Sequence, residues 1–221
     1  NHSDADPVEF QVDVAPPVII FERNQILTNQ THPTLSTTIT DALSGVDFST
    51  LAVDVGGVNV TSAFTVSGNV ATGAPNLSVG TNIVRFRVKD KVGNEGVADL
   101  TVNVDIAPPI LSEVTPADGS KIYRQSNVLE ISGQANELLS RATVNGQEFI
   151  IGADGLSFLG TYVVVTSGAL TLAIDVYDLA GNKASVNRSI EYFIDTVAPA
   201  VSLTKLSPDL SKNPLYSIQV N

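Results

Sequence analysis

A repeat of about 90 residues constrains the fold of this chain more than any other feature of its sequence. One junction sequence occurs three times, as DVAPPVI at Asp13–Ile19, DIAPPIL at Asp105–Leu111 and DTVAPAVSL at Asp195–Leu203. The Ala-Pro pairs within these junctions lie 92 and 91 residues apart, which indicates a tandem array of small domains. The spacing predicts four segments: the end of a preceding unit or linker at 1–13, complete units at 14–105 and 106–196, and the start of a third unit at 197–221.

Both complete units show a period-two alternation of apolar and polar residues. It is clearest beside a loop of the pattern DxxGN, which occurs as DKVGN at Asp90–Asn94 and, 88 residues later, as DLAGN at Asp178–Asn182. Such alternation is typical of antiparallel strands that bury one face. The predicted buried residues are Val84, Phe86, Val88, Leu100, Val102 and Val104 in the first unit, and Leu170, Leu172, Ile174 and Val176 in the second.

The length of the unit and the number of strand-like runs together define the fold class. Six or seven short runs fit into each unit, separated by Gly, Asn, Asp and Pro, and no helical apolar stripe exceeds two turns. Units of about 90 residues with seven short strands are typical of Ig-like sandwiches. We therefore predict an all-β fold of tandem Ig-like antiparallel β-sandwiches, with the Ala-Pro pairs in short, semi-rigid linkers.

The charge balance limits the partners that this chain can bind. Its 23 Asp and Glu residues against 12 Lys and Arg residues give a formal net charge of −11. Nucleic acids and anionic membrane surfaces are bound through clustered Lys and Arg, so we expect neither as a partner. Divalent cations are better candidates, because they prefer carboxylate and carbonyl oxygens. The chain has no cysteine, which excludes disulfides and thiolate metal sites.

The sequence also argues against a membrane span and against an enzyme. No apolar run approaches the roughly 18 residues of a transmembrane helix. The chain begins at Asn1 without a Met or a signal peptide, so we expect a processed or excised piece of a longer protein. The two histidines, His2 and His32, lie near the N-terminus, are not repeated, and have no acid at metal-ligand spacing. Nothing marks a nucleophile elbow, so we expect no catalytic residues in this segment.

Two interpretations of the DxxGN loops remain open at this point. In the first, the loop is a turn: Asp accepts hydrogen bonds from backbone N–H groups, Gly supplies a positive φ, and Asn tolerates the left-handed region. That interpretation explains all three repeated residue types without a ligand. In the second, Asp90 and Asp178 also coordinate a cation.

The junctions, the DxxGN loops and two longer segments carry a family resemblance. SGVDFSTLAVDVGGVNV at Ser44–Val60, and TPADGSKI and ATVNGQEF within Thr115–Phe149, resemble bacterial Ig-like (Big-type) tandem repeat domains. The resemblance covers nearly the whole chain. Such domains occur in large cell-surface and secreted proteins, including adhesins, biofilm proteins, S-layer-like proteins and accessory regions of extracellular enzymes. The resemblance implies an extracellular, bacterial cell-surface location and a structural or adhesive function.

The Ig-like topology brings a set of oxygen ligands to one pole of each unit. The loop after the sixth strand, the loop after the second strand and the incoming linker meet there. Calcium takes six to eight oxygen ligands, and surface proteins similar to this chain use it to stiffen the junctions between domains. We therefore predict Ca2+ as the one possible cofactor. The predicted ligands are Asp13, Asp41, Asp47 and Asp90 at the first unit, and Asp105, Asn136, Glu137 and Asp178 at the second.

The predicted function is that of a stalk or interaction segment in a surface protein, whose first partners are the neighbouring Ig-like domains of the same chain. A host or surface glycan or protein, or sister chains, are further candidate partners. The alternative is a carbohydrate-binding or spacer module of a secreted enzyme. Carbohydrate binding needs exposed aromatic platforms, whereas the five tyrosines are scattered along the sequence.

Overall fold

The computed structural model describes residues 11–200 and, as backbone, the segments 203–205 and 218–220. Residues 1–10 lie outside the described residues, and they include His2 and most of the predicted remnant of a preceding unit at 1–13. Most of the predicted third unit lies outside them too; its described part is an antiparallel pair between Leu203–Lys205 and Ile218–Val220.

The first unit consists of nine strands that form two sheets. One sheet has the order β1-β3-β7-β6 and the other the order β2-β9-β8-β4-β5. The strands are β1 (Val18–Ile20), β2 (Gln25–Thr28), β3 (Leu35–Thr40), β4 (Val46–Val55), β5 (Val58–Asn59), β6 (Phe64–Ser67), β7 (Val70–Gly73), β8 (Gly80–Asp90) and β9 (Glu95–Val104), with a 3-10 turn at Thr61–Ala63.

The strand order of the first unit is that of an Ig-like sandwich. In Ig letters the sheets read A-B-E-D and A′-G-F-C-C′, because the first strand is split between the two sheets. Strand β2 runs parallel to β9, whereas β8 and β9 form a long antiparallel hairpin. The DxxGN loop at Asp90–Asn94 closes that hairpin, as the sequence predicts.

The second unit repeats this plan with eight strands. Strand β14 pairs with both β13 and β15, so it bridges the two sheets in the order β10-β12-β15-β14-β13-β16-β17-β11. The strands are β10 (Leu111–Thr115), β11 (Lys121–Arg124), β12 (Val128–Ala135), β13 (Leu139–Val144), β14 (Gln147–Ile151), β15 (Ser157–Val163), β16 (Gly168–Asp178) and β17 (Lys183–Ile194).

Each unit packs its own hydrophobic core between its sheets. In the first unit, the Phe86 ring contacts Phe64 and Phe21 edge-on, with ring centroids 5.2 and 5.4 Å away. In the second, Ile174 is fully buried at the equivalent position of the hairpin. The predicted inward-facing residues of β8, β9 and β16 are buried, apart from Leu170, which is half-buried. The all-β sandwich prediction is confirmed.

The number of strands exceeds the predicted six or seven in each unit. The excess arises mainly at the first strand, which leaves one sheet and re-enters the other. In the second unit the crossing begins at Pro116, whose missing N–H cannot continue a sheet ladder. Among the described residues, no helix is long and apolar enough to cross a membrane.

Candidate metal centre at the domain junctions

The incoming linker and two loops meet at one pole of each unit and bring three carboxylates together. In the first unit these are Asp13 of the linker, Asp41 of the β3–β4 loop and Asp90 of the β8–β9 loop. In each group, one ligand oxygen from every member lies within 4.8 Å of the others. We call the two groups the first cluster and the second cluster; the second consists of Asp105, Glu137 and Asp178.

Asp90 is buried and saturated with hydrogen bonds from its own loop. Its Oδ1 accepts the N–H groups of Val92, Gly93 and Asn94 at 3.0, 2.6 and 2.8 Å. Gly93 has a φ of 102°, a left-handed conformation that few other residues adopt without strain. Burial alone would raise the pKa of Asp90, but these donors outweigh it and lower the pKa. The turn interpretation of the loop therefore describes its local geometry.

The last residue of each DxxGN loop has a role that the turn interpretation does not include. The side-chain amide of Asn94 donates to Asp90 Oδ2 at 2.7 Å and to the carbonyl oxygen of Asp13 at 3.2 Å. Asn182 donates in the same way to Asp178 Oδ2 and to the Asp105 carbonyl oxygen. Each asparagine thus ties its loop to a linker about 80 residues earlier. Sequence reasoning missed this role, although the repetition of Asn was its signal.

Backbone amides also surround the other two carboxylates of the first cluster. Asp41 Oδ1 accepts the N–H groups of Leu43 and Gly45, and Asp13 Oδ2 accepts that of Ser44 at 2.8 Å. The donors from Ser44, together with a bond from the linker backbone, lower the pKa of Asp13. The negative charge of the first cluster is therefore largely compensated by hydrogen-bond donors of the protein itself.

The fourth predicted ligand of the first unit is not part of the cluster. Asp47 lies on β4, where its Oδ1 accepts the N–H of Ser49 at 3.1 Å and the hydroxyl of Ser49 at 2.6 Å. The β4–β8 register shifts between Asp47 and Ala52, and this local turn belongs to that irregularity.

All four predicted ligands of the second unit line one cavity of about 440 Å3 at the junction between the units. Asp178 is buried, and its Oδ1 accepts the N–H of Asn182 at 2.8 Å. Asn136 Oδ1 accepts the N–H of Ile110 at 2.7 Å, so it also fixes the linker. Carboxylate and amide side chains from three chain segments thus line the same space.

Glu137 distinguishes the second cluster from the first. No hydrogen bond to its carboxylate occurs within the described part of the chain, whereas every carboxylate of the first cluster accepts at least two. Burial and the negative charges of Asp105 and Asp178 raise the pKa of Glu137. The second cluster therefore concentrates negative charge that a cation would neutralise.

One residue of the first unit also lines this cavity. Leu27, on β2, lines it together with Leu179 and Ala180 of the second DxxGN loop. A Cβ built on Gly181 would lie 3.6 Å from the side-chain nitrogen of Asn29. The loop of the second unit thus sits against the end of β2, and the cluster lies between consecutive units.

The third junction repeats the linker geometry of the first two. Asp13 Oδ1 accepts the N–H of Ala15 at 3.1 Å, and Asp105 Oδ1 accepts that of Ala107 at 3.0 Å. Asp195 Oδ1 accepts the N–H of Val197 at 3.0 Å. The conformation that presents a junction aspartate is therefore encoded in the short repeated sequence itself.

Comparisons with known proteins identify structural neighbours of this chain but no family to which it belongs. No family model matches the chain, and no curated protein matches it. The fibronectin(III)-like modules of CbhA from Clostridium thermocellum are 13% identical, with a TM-score of 0.49, over 80% of this chain and 94% of that one. A three-Ig segment of titin is 12% identical, with a TM-score of 0.46, over 81% of this chain and 66% of that one.

A glycan-bound protein is also among the structural neighbours. SGBP-B of the mixed-linkage glucan utilization locus of Bacteroides ovatus, in complex with a heptasaccharide, is 14% identical, with a TM-score of 0.31. The match covers 80% of this chain and 47% of that one. At these similarities, the Ig-like assignment of this chain depends on its own strand order.

Proposed function

We propose that this chain is a stalk or interaction segment of a bacterial extracellular surface protein, built from Ig-like repeats of the Big type. The supporting observation is the junction, which has the same construction at both units: an asparagine of the DxxGN loop holds the carbonyl of the incoming linker. A linker held by side-chain hydrogen bonds transmits orientation from one domain to the next, whereas a free linker does not. Spacing and orientation are what a stalk supplies.

We further propose that Ca2+ binds at the second cluster and stiffens the junction between the two units. Asp105, Glu137 and Asp178 contribute carboxylate oxygens from the linker and from two loops, and Asn136 adds an amide oxygen. Oxygen ligands of this kind suit Ca2+, which completes its six to eight ligands with water or carbonyls. A cation there links the linker to both loops. It also compensates the charge of Glu137, whose pKa is raised by burial and then by the negative charges of Asp105 and Asp178.

The experiment that tests both proposals measures the stiffness of the junction. Small-angle X-ray scattering of the chain in Ca2+ should show a narrower range of interdomain arrangements than in chelator. A concentration of about 10 mM Ca2+ is used because extracellular calcium modules bind in the submillimolar to millimolar range. Glu137→Gln should abolish the calcium effect. Asp47→Asn, on β4 and outside both clusters, is the matched control and should leave it intact.

The outcomes separate the ion from the stalk. Identical scattering profiles with and without Ca2+ refute the proposal that Ca2+ stiffens the junction. A flexible profile in both conditions also refutes the stalk proposal, because the asparagine bonds would then fail to hold the linker. A stiff profile in both conditions keeps the stalk and assigns its rigidity to the asparagine bonds alone.

A further inference from the structure

The second unit carries a stacked aromatic pair at the end opposite its acidic cluster, in which Tyr123 is exposed and Phe193 is half-buried. Tyr123 of β11 stacks on Phe193 of β17, with ring centroids 4.9 Å apart and an interplanar angle of 16°. The two residues face each other in the parallel register of these strands. Tyr123 is 60% exposed. Tyrosine is enriched at the centres of protein interfaces, and the stack on Phe193 fixes the orientation of this exposed ring.

Backbone hydrogen bonds show which residue of the first unit corresponds to Tyr123. The N–H of Asp105 donates to the carbonyl of Thr28, the last residue of β2, at 2.9 Å. The N–H of Asp195 donates in the same way to Arg124, the last residue of β11, at 2.8 Å. The residues that precede the two acceptors are Leu27 and Tyr123, so they are structural equivalents.

Leu27 shows what occupies this position when another unit follows. It lines two cavities together with Leu179, and the two side chains are 45% and 53% exposed. The side-chain nitrogen of the neighbouring Asn29 lies 3.6 Å from where a Cβ on Gly181 of the same loop would be. The end of β2 in the first unit therefore borders the DxxGN loop of the second unit.

We infer that the Tyr123–Phe193 pair is the docking surface for an Ig-like unit that follows the second unit. The occupant is the loop before the last strand of that unit, with an apolar residue at the position that Leu179 holds in the second unit. This inference depends on the proposed function as a tandem array. It adds to that proposal the surface through which each unit receives the next.

At this junction Tyr123 and Phe193 replace Leu27 and Asn103, and the linker sequence offers a reason. Asp105 is followed after one residue by the Ala-Pro pair, whereas Asp195 is followed after two. One additional residue can move the following unit away by up to about 3.3 Å. A stacked pair of rings extends further from the sheet than leucine, and it can bridge that added distance.

Crosslinking in an extended chain tests this inference directly. The chain has no cysteine, so two introduced cysteines are its only thiols. A second copy of residues 107–196 is inserted after Val197, which preserves the linker sequence Asp195–Pro199. The test pair is Gln125→Cys with Ala180→Cys in the inserted copy, and Gln125 is the equivalent of Asn29. The reference pair is Asn29→Cys with Ala180→Cys in the original 221-residue chain.

We expect a short bismaleimide to crosslink the test pair at a rate within about threefold of the reference pair, because both would have a high effective concentration. Tyr123→Ser should slow the test pair at least severalfold. Val163→Ser, which changes an exposed apolar residue on β15, should leave the rate unchanged.

Two failures have different meanings. The background rate is that of Gln125→Cys paired with Leu159→Cys in the inserted copy. If the reference pair crosslinks but the test pair reacts no faster than this background, the docking inference is overturned. The same holds if Tyr123→Ser has no effect. If the reference pair itself reacts only at that background rate, the junction described between the first two units is wrong and the array proposal falls with it.

Discussion

The two acidic clusters occupy equivalent places in the two units but neutralise their charge in different ways. In the first, the longer β3–β4 loop supplies backbone N–H groups from Leu43, Ser44 and Gly45 to the carboxylates. In the second, that loop is shorter and contributes Glu137, another negative charge. The same pole of the same fold is thus a self-satisfied turn in one unit and a candidate cation site in the other.

The difference shows that a repeated loop does not imply a repeated ligand set. Asp90 and Asp178 share their turn, and Asn94 and Asn182 share their bond to the linker. What changes is the neighbouring loop, which the DxxGN pattern does not encode. The motif encodes the local turn, whereas the other carboxylates of each cluster lie more than 40 positions away in the chain.

The largest expected difference between the two units is how much Ca2+ stabilises each of them. At a hundredfold excess over its Kd, Ca2+ should stabilise the second unit by about 2.7 kcal/mol, while the first unit gains much less. Hydrogen–deuterium exchange measured by mass spectrometry reports each unit independently, through peptides from β16 and β8. Equal protection of the two hairpins by Ca2+ would contradict the distinction between the clusters.

Loss of either asparagine should destabilise its own unit by a similar amount. Asn94→Ala and Asn182→Ala each remove a donor to a buried aspartate and to a linker carbonyl, at a cost of about 2 kcal/mol. The measurement is urea denaturation, monitored separately in each unit by hydrogen–deuterium exchange. Asn187→Ala, at an exposed position on β17, is the control and should change stability by less than about 0.5 kcal/mol. An effect of Asn182→Ala on the first unit alone would refute the assignment.

The sequence predicts most of the fold because its signals are local. Alternation identifies β8, β9 and β16, and the junction motif marks the period of the repeat. The split of the first strand and the bridging role of β14 depend on pairing between distant segments, which no local pattern reports. The same limit applies to the candidate site. The topology brings Asp13, Asp41 and Asp90 together, but a local turn holds Asp47 apart from them.

Glu137→Gln should make the second unit resemble the first. The substitution removes the charge that the two neighbouring aspartates oppose, so the second unit should become modestly more stable in chelator and lose its response to Ca2+. Thermal melts in chelator and in Ca2+ measure both effects. A variant that remains calcium-responsive, or that is less stable than the parent in chelator, would show that Glu137 is not strained by its neighbours.

The two clusters should have pH dependences of opposite sign; in the second unit the lowered pKa values of Asp154 and Asp175 act like those of the first cluster, but below the pH range in which Glu137 titrates. The pKa values of Asp13 and Asp90 are lowered from 3.8, so their contribution is present above that pH and is lost as the pH falls below it. The pKa of Glu137 is raised from 4.5, so its protonation favours the folded state. In chelator, the second unit should gain stability as the pH falls from neutral towards 4.5. Exchange rates for each unit measured over this range test the signs.

Calorimetric titration of Ca2+ into the chain tests the central claim most directly. We predict one binding event that Glu137→Gln abolishes and that Asp41→Asn, the matched change in the first cluster, leaves in place. The absence of binding up to millimolar Ca2+ would contradict the claim. So would binding that survives Glu137→Gln and is lost with Asp41→Asn, because that result would place the ion at the cluster that the protein already satisfies.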